Sequence, residues 1–575
     1  MLPLLRIFSI VYIYKLLCYL IFYPFYIFGE VERNMKRKIV GILICMLLIA
    51  TAVPAVGSLK NNAKNATVPS TPQISTAVDW QEWQKLLAKD AEGGDGFGFS
   101  VSLSQNLALI GAPGNDDHGL NSGAAYLFSC SSGDWKQVAK LTANDSEAGD
   151  SFGCSVSICG LTALIGAVMD EDNGHASGSA YVFHYTNIPG GYGWIQKQKL
   201  LPGDGAANDE FGVSVSLNGN KALIGAWGDT NGVGVWSGSA YVFSYSSTTD
   251  KWSQQAKLIA PVPQTSEYFG YSVSLYFDTA LIGAYGYNGD LGCAYVFTSV
   301  GGNWGYKDQL LDPNGAALDR FGYSVSIRHM AALIGAPGDD DNGDSSGSAC
   351  VFTHDASGVW NHLPVKITAG DGNPGDLFGY SVSFWYNFAL IGAPYDDDTQ
   401  NDSGSAYVFV WTTTGGWIQE AKLHASDAAG WDYFGCSVST SDIGTNYVLI
   451  GAYGNDDNGP GSGSAYVDEP NNSVHSAVVC VTDRWSLPYV NVTLHYPEPW
   501  VAFGVEWLIH VEGGILGGIN TTVNGTIDIP IGENITVSAG PLFGLGLLDI
   551  TAKADNKEKT AIGIIILFWG IILSR

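Results

Sequence analysis

The chain has 575 residues, of which 27 are basic and 55 acidic, and its formal net charge is −28. This acidity excludes nucleic acid as the partner, because binding a phosphate backbone requires clustered lysine and arginine. The 46% apolar content excludes a disordered chain, and 73 glycines with 12% aromatic residues are typical of a turn-rich all-β protein.

Apolar and polar segments alternate before the first repeat. Residues 1–28 are apolar, and we interpret residues 1–34 as an extension upstream of the true start, with a membrane helix over 1–28 as the alternative. Residues 35–57 combine a basic start, an apolar run and small residues, which is the pattern of a secretory signal peptide. Residues 58–77 are rich in Asn, Ser, Thr and Pro and predict a linker. The sequence therefore predicts an exported protein.

Seven copies of one pattern occupy residues 78–468. Each copy begins with Phe-Gly, reaches Ile-Gly-Ala and, after a polar loop, ends in a segment such as GSAYVF; the first residues are Phe97, Phe152, Phe211, Phe269, Phe321, Phe378 and Phe434. Their spacing of 52 to 59 residues suits a unit of several short strands. In the fifth copy, residues 321–327, 331–336 and 347–352 predict three strands.

A tryptophan marks a fourth strand before each Phe-Gly. The tryptophans lie 17 residues upstream, or 18 for Trp360, and are Trp80, Trp135, Trp194, Trp252, Trp304, Trp360 and Trp417. The strand at Trp80 precedes the first copy, whereas no such strand follows the seventh. If the Trp80 strand pairs with the seventh copy, the ring closes and two open strand edges disappear. The sequence therefore predicts an all-β fold, a seven-bladed β-propeller with a one-plus-three closure blade.

These repeats resemble FG-GAP repeats, the type that builds the propeller of integrin α subunits and of many prokaryotic surface proteins. The resemblance covers residues 78–468 and implies the fold, but it says little about function. Only Pro113, Pro337 and Pro394 complete a Gly-Ala-Pro motif. The integrin calcium loop, Asp-x-Asp-x-Asp-Gly, is absent from the hairpin between Phe-Gly and Ile-Gly-Ala. Integrin-type calcium binding is therefore not transferred to that hairpin.

The C-terminal part loses the repeat. Residues 469–555 alternate in strand-like segments and predict a small β-rich domain, sandwich-like or a stalk. We interpret the apolar residues 560–574 as a membrane anchor, although about 14 apolar residues fall short of the ~20 that a span needs. The alternative is a buried final strand or helix. Sequons predict glycosylation at Asn65, Asn144, Asn401, Asn471, Asn491, Asn520, Asn524 and Asn534.

The acidic residues are predicted to crowd on one face. Because neighbouring strands of a blade are antiparallel, the loops after Gly-Ala and the loops before Phe-Gly emerge on the same side. These loops contain 33 of the 55 carboxylates, and the loops of the opposite side contain five. Crowded carboxylates favour hard cations such as Ca²⁺. Candidate calcium ligands are Asp116, Asp117, Asp339, Asp340, Asp341, Asp396, Asp397, Asp398, Asp456 and Asp457. The alternative is a solvated set of turns, since Asp, Asn and Gly are turn formers.

Export, the resemblance and the acidic face together predict a non-enzymatic binding or adhesion protein at the cell surface. It would be membrane-anchored and would present the acidic face, with calcium, to an extracellular protein or glycan. No copy shows an odd combination of His, Arg and nucleophile, so no catalytic residue is predicted. Two alternatives stay open: a propeller enzyme that hydrolyses or cleaves extracellular glycans, and a purely structural envelope component.

Overall fold

Seven four-stranded sheets follow one another between Trp80 and Pro470. The computed structural model describes residues 80–131, 134–188, 191–231, 234–355, 358–385, 388–412, 416–441 and 447–470, together with the backbone of eight strands between Val478 and Ser574. The predicted extension, signal peptide and linker (residues 1–77) lie outside the described residues.

Each sheet is one antiparallel blade, and in blades one to six the strands run from the inside outwards in chain order. The strands of blades one to three are Ser100–Ser104, Leu107–Ala112, Ala124–Ser131, Asp134–Leu141; Phe152–Cys159, Thr162–Ala167, Ser179–Ile188, Gly191–Leu200; Phe211–Asn218, Lys221–Ala226, Ser239–Ser246 and Lys251–Leu258. Those of blades four to six are Ser272–Tyr276, Thr279–Ala284, Cys293–Val300, Asn303–Leu310; Ser324–Arg328, Ala331–Ala336, Ser348–Thr353, Val365–Ile367; Ser381–Trp385, Phe388–Ala393, Ser405–Thr412 and Gly416–Leu423. The innermost strands contact one another in a closed ring, which confirms the seven-bladed β-propeller.

The seventh blade is closed by the N-terminal strand. Its inner strands are Ser437–Thr440, Val448–Ala452 and Ser464–Pro470, and its outermost strand is Trp80–Leu86. The pairing is antiparallel, with Leu86 opposite Ala465. The predicted one-plus-three closure is therefore confirmed.

A ring of serine hydrogen bonds explains the polar positions of the repeat. The first serine of each inner strand donates its hydroxyl to the carbonyl of the Phe-Gly glycine in the next blade, as Ser100 does to Gly153 at 2.8 Å. Ser437 of blade seven closes the ring by donating to Gly98 at 2.8 Å. The second serine accepts an N–H from the neighbouring inner strand at 2.9–3.1 Å in all seven blades. These bonds satisfy inner-strand backbone groups that the inner edge of a blade leaves without a ladder partner.

Two glycines of the repeat are required by close approach of neighbouring backbones. Gly153, in the second Phe-Gly pair, has φ +93°. A Cβ on Gly111, in the preceding Ile-Gly-Ala, would lie 1.9 Å from the carbonyl oxygen of Gly153. A side chain at either position would push two blades apart.

The hydrophobic core lies between neighbouring blades. Phe152 of the second Phe-Gly is fully buried and contacts the ring of Tyr181 with 5.4 Å between the ring centroids. The same cluster includes Leu109 and Leu127 of blade one. Burying one such phenylalanine contributes about 2–3 kcal/mol, so the seven phenylalanines hold the blades together.

Two strand predictions differ from the structure. In blade five the inner strand begins at Ser324 rather than Phe321, and Phe321 forms an isolated parallel bridge with Gly292 of blade four. The outermost strand of the same blade is Val365–Ile367 and leaves Trp360 outside it. Trp360 is the tryptophan with the longer spacing to Phe-Gly, and it is still buried.

The C-terminal backbone forms eight strands in two sheets. Their bounds are Val478–Val481, Tyr489–His495, Ala502–Gly513, Ile519–Ile529, Asn534–Pro541, Gly546–Ala554, Lys557–Ile566 and Trp569–Ser574. The separate β-rich domain and the membrane anchor stay predictions. Among the residues that the structure describes, no helix is both long and apolar enough to cross a membrane.

Candidate functional site

The loops after Gly-Ala and the loops before Phe-Gly meet on one side of the propeller, as predicted. In blade two, Asp145 belongs to a loop before Phe-Gly and Asp170 to a loop after Gly-Ala, yet both contact the ammonium of Lys199. We call this side the acidic face. Lys199 lies in the outermost strand and reaches over the ring of Tyr181, with its Nζ 5.2 Å from the ring centroid.

Six blades contain a lysine hub, defined as one lysine of the outermost strand and the carboxylates on its ammonium. In blade two the Nζ of Lys199 lies 2.9 Å from Asp145, 2.8 Å from Asp170 and 2.6 Å from Asp172. The six lysines are Lys85, Lys140, Lys199, Lys257, Lys366 and Lys422. The acidic face therefore contains its own counter-ions at regular intervals.

The charge states of a hub lysine and its carboxylates follow from their burial and from their closeness to one another. Burial of Asp170 would raise the pKa of its carboxyl, but the hydrogen bonds from Lys199, the backbone of Asp172 and Tyr181, together with the charge of Lys199, outweigh burial and lower that pKa below its ordinary value. Burial likewise opposes the charge of Lys199, and its three carboxylate partners raise the pKa of the ammonium above the ordinary value. Both groups are therefore charged at neutral pH.

The ten predicted calcium ligands divide into three structural roles. Asp339 and Asp396 are each the first residue of an Asp-Asp-Asp triplet. Both are buried and contact the ammonium groups of Lys366 and Lys422, respectively. The third positions also contact hub lysines: Asp117, Asp341, Asp398 and Asp457. The middle positions accept the backbone N–H five residues later at 2.7–2.8 Å: Asp116, Asp340, Asp397 and Asp456. All ten carboxylates thus have partners within the protein.

In the observed arrangement of the loops, the groups of a lysine hub do not suit a metal ion. The carboxylates surround an ammonium, and within the described residues no group of three or more His, Cys, Asp or Glu side chains could hold a metal. A calcium ion would have to displace a lysine or use outer carboxylate oxygens. Calcium binding at the ten positions therefore stays a prediction.

The hub lysines are the residues that the sequence analysis missed. Each directly precedes the last leucine or isoleucine of its outermost strand, as Lys257 precedes Leu258. The available signal in the sequence was a lysine that recurs at this position, beside acidic loops that also recur. Blade four is the exception: Gln309 takes the lysine position, and fully buried Glu267 accepts the hydroxyl of Tyr295 at 2.6 Å. Burial raises the pKa of Glu267.

A second acidic position recurs in every blade, two residues before Phe-Gly. It accepts the backbone N–H three residues earlier and is occupied by Asp95, Asp150, Asp209, Glu267, Asp319, Asp376 and Asp432. Burial raises the pKa of Asp209, Asp319 and Asp376 to about 6, and nearby carboxylates add to the shift. Because all seven blades share this arrangement, it does not single out a catalytic acid.

Aromatic rings break the sevenfold symmetry of the acidic face. Eleven side chains form a continuous series with 4.7–6.4 Å between successive ring centroids: Trp236, Trp227, Tyr268, Tyr285, Tyr271, Tyr323, Tyr380, Tyr395, Tyr433, Tyr453 and Phe99. We call this series the aromatic arc. It runs through blades three to seven and ends in blade one. Blade two has Cys154 and Val168 at the corresponding positions.

The arc positions explain the departures from Gly-Ala-Pro noted in the sequence. Trp227, Tyr285 and Tyr453 directly follow Gly-Ala, and Tyr271 directly follows a Phe-Gly. The indole N–H of Trp227 donates to Glu210 at 2.6 Å, so ring and carboxylate are held together. Aromatic faces next to carboxylates are the combination that attracts organic cations.

Two of the predicted glycosylation sites are described with their side chains. Asn144 and Asn401 are exposed in loops of the acidic face. Asn491, Asn520, Asn524 and Asn534 lie on strands described by their backbone alone, and Asn65 and Asn471 lie outside the described residues. Glycosylation stays a prediction at all eight positions.

Comparisons with solved structures return other proteins at low similarity. The Sqt1 structure of Saccharomyces cerevisiae has a TM-score of 0.37 at 12% identity and covers 66% of this chain and 98% of its own. Sqt1 of Chaetomium thermophilum scores 0.38 at 12% identity, with 64% and 83% covered. The periplasmic gluconolactonase PpgL of Pseudomonas aeruginosa scores 0.38 at 16% identity, with 57% and 86% covered. Similarity at this level carries no argument about function, and no curated protein matches the sequence.

The family model of the FG-GAP repeat matches the chain seven times. The matched residues are 80–128, 135–183, 194–243, 252–297, 304–352, 363–409 and 417–467. Each match begins at or near a tryptophan strand and ends within the third strand of a blade, which contains the Ala of Gly-x-Ala, so the matches coincide with the structural repeat. Together they cover more than half of the sequence. The chain therefore belongs to the FG-GAP repeat family.

Proposed function

We propose that this protein is an exported, non-enzymatic binding protein whose acidic face engages a basic segment of an extracellular protein. The observation that carries the proposal is the aromatic arc, because it is a continuous series of rings that runs around only part of the acidic face and is not repeated blade by blade. The repeat fold itself does not require an aromatic residue at the positions of Trp227 or Tyr453, because blade two has a smaller residue at the equivalent position.

The chemistry of the face favours a cationic partner. The exposed rings at the two ends of the arc, Trp236 and Phe99, offer π-faces to lysine or arginine. Carboxylates such as those of Asp340 and Asp397 are exposed in the loops of the acidic face. Such a field accelerates association with a basic partner and is weakened by salt. An amine-bearing glycan has related chemistry and is the other outcome of the test.

The binding test compares two peptides and one glycan on the full-length chain. We expect an alternating Arg-Gly decapeptide to bind and a Glu-Gly decapeptide not to bind. A glucosamine pentamer that binds more tightly than the basic peptide would show that the partner is a glycan. Equal binding of the acidic and basic peptides would contradict the proposal.

Two tryptophans provide matched variants. Trp236 at the end of the arc is 43% exposed, and Trp411, at the end of a strand away from the acidic face, is 42% exposed. Trp236→Ala should weaken binding of the basic peptide about tenfold, the loss of roughly 1.4 kcal/mol that one cation–π contact supplies. Trp411→Ala should leave the affinity unchanged.

Export has its own test. If residues 35–57 act as a signal peptide, the mature chain should begin near Ala55–Ser58. N-terminal sequencing of the native protein decides the question. A native protein that retains residue 1, or that is found in the cytosol, would contradict export.

A further inference from the structure

The end of the propeller opposite to the acidic face also breaks the repeat, in blades four to six. The last residue of the innermost strand is Tyr276, Arg328 or Trp385 in these blades. The other blades have smaller residues at the end of this strand: Ser104, Cys159, Asn218 and Thr440. The innermost strands surround the propeller axis. The three large side chains are therefore neighbours around half of this ring of strands, at the end opposite to the acidic face.

A cation lies between aromatic rings at this end. The guanidinium carbon of Arg328 is 4.2 Å from the ring centroid of Trp385 and 5.4 Å from that of Tyr276. The hydroxyl of Tyr276 lies 3.0 Å from Nε2 of His329, in the next hairpin. Stacking engages the π-face of a guanidinium, whereas a carboxylate is recognised through the N–H edges.

The adjacent hairpin turns hold bulky residues in a backbone conformation that favours glycine. Phe277 has φ +50° and His329 has φ +47°, whereas blades two and three have Gly160 and Gly219 in the same turn position. A left-handed conformation is costly for a residue with a Cβ. Phe277 is nevertheless 63% exposed, so burial does not offset this cost.

We propose that Tyr276, Phe277, Arg328, His329 and Trp385 form a binding site for a carboxylated sugar of an extracellular glycan. The aromatic rings supply stacking surfaces for the sugar ring, and Arg328 supplies the charge for its carboxylate. We call these five residues the hairpin patch. It lies on a different face from the aromatic arc and is independent of the basic partner proposed there.

The charge distribution permits an anionic ligand at this end despite the net charge of −28. An inner strand of five residues spans about 17 Å, roughly twice the Debye length of ~8 Å at physiological ionic strength. The carboxylates of the acidic face are therefore largely screened at the hairpin patch. The nearby carboxylate of Asp278 is paired with Lys221.

The exposed ring of Phe277 favours a sugar over an acidic polypeptide. A carboxylate side chain satisfies Arg328 but offers no ring face to Phe277. The patch is thus better matched by a ligand that joins a ring and a carboxylate in one unit.

The experiment titrates the full-length chain with tetragalacturonate, its methyl-esterified form and hexa-aspartate by calorimetry. We expect tetragalacturonate to bind, the ester to bind at least tenfold more weakly, and hexa-aspartate to bind more weakly than tetragalacturonate. Absence of tetragalacturonate binding, or equal binding of its ester, overturns the proposal. Stronger binding of hexa-aspartate overturns it as well and assigns the patch to an acidic polypeptide.

Variants locate the site and separate binding from folding. Arg328→Gln should weaken binding at least tenfold, and the matched control Arg320→Gln, on the acidic face, should not. Phe277→Gly should weaken binding while its melting temperature equals or exceeds that of the unmodified chain, because glycine relieves the turn. Unchanged affinity in both patch variants, or a loss with Arg320→Gln alone, overturns the placement of the site.

Discussion

At the residue scale, adjacent aspartates of one loop have different physical roles. In the triplet of blade five, Asp339 is buried against Lys366 and Asp340 accepts a backbone N–H, while Asp341 reaches the same lysine from the outside. One residue type thus supplies a buried ion pair, a turn and an outer ion pair. The lysine decides these roles, because it determines which carboxylates are neutralised.

Removing a hub lysine should be costly. In Lys366→Met, the carboxylates of Asp339 and Asp312, each only 3% exposed, lose their cation. We expect the free energy of unfolding to fall by about 3 kcal/mol. In the control, Lys221→Met, the partner Asp278 is 62% exposed and the loss should stay below about 1 kcal/mol. Urea unfolding of both variants measures the difference, and equal losses would contradict the role of the hub.

Calcium should act most strongly where the ammonium has been removed. Lys366→Met leaves three carboxylates around one position, and such oxygen ligands suit Ca²⁺. We expect millimolar CaCl₂ to raise the melting temperature of this variant more than NaCl of equal ionic strength does. Replacing Asp339, Asp340 and Asp341 with Asn in the same variant should abolish the difference. Equal effects of the two salts would show that the loops do not bind calcium.

At the scale of strands and blades, close backbone approach is the main constraint. The glycine of each Ile-Gly-Ala lies against the carbonyl of the Phe-Gly in the next blade, and serine hydroxyls bond the same neighbours. Hydrophobic packing alone would tolerate a methyl group at many positions. The repeated glycine indicates that the blades meet through their backbones near the axis.

Gly335→Ala tests this constraint. Its Cβ would lie 2.0 Å from the backbone carbonyl oxygen of Gly379 in the next blade. We expect a loss of about 3 kcal/mol or more in the free energy of unfolding. Gly416→Ala is the matched control, since its Cβ would meet no atom within 4 Å. If denaturant unfolding finds both variants equally stable, the blades are less tightly packed than the structure indicates.

At the scale of the whole molecule, two faces with different chemistry lie at opposite ends of one propeller. Carboxylates, lysine hubs and the aromatic arc occupy one end, and the cation and rings of the hairpin patch occupy the other. Both the aromatic arc and the hairpin patch involve blades four to six. Partners of opposite charge are therefore expected to bind without competing.

The pH dependence of stability follows from the buried acids of the acidic face. For Asp209, Asp319 and Asp376 the folded pKa is about 6 against an ordinary value of 3.8. Between these values the folded state binds more protons, so the free energy of unfolding falls as pH rises, by about 1.4 kcal/mol per unit of pKa difference. The hub carboxylates Asp170 and Asp229 have lowered pKa values, and their contribution is lost only below pH 3.8.

We therefore expect a higher melting temperature at pH 5 than at pH 7, followed by a decrease below about pH 4. Asp319→Asn removes one of the titrating groups and should reduce the difference between pH 5 and pH 7. Calorimetric melts from pH 3 to pH 8 test both statements. A melting temperature that rises from pH 5 to pH 7 would contradict them.

The sequence by itself determined the number of blades, the strand order and the closure by Trp80–Leu86, because the repeat records which residues must be buried or must be glycine. It also placed the acidic loops on one face, since antiparallel strands alternate their connections. Only the tertiary structure decided what those acids do, because Lys199 lies 29 residues after Asp170 and no local pattern joins them. The aromatic arc and the hairpin patch were likewise set by the tertiary structure. Their rings come from different blades, and their contacts depend on how the blades are arranged around the axis.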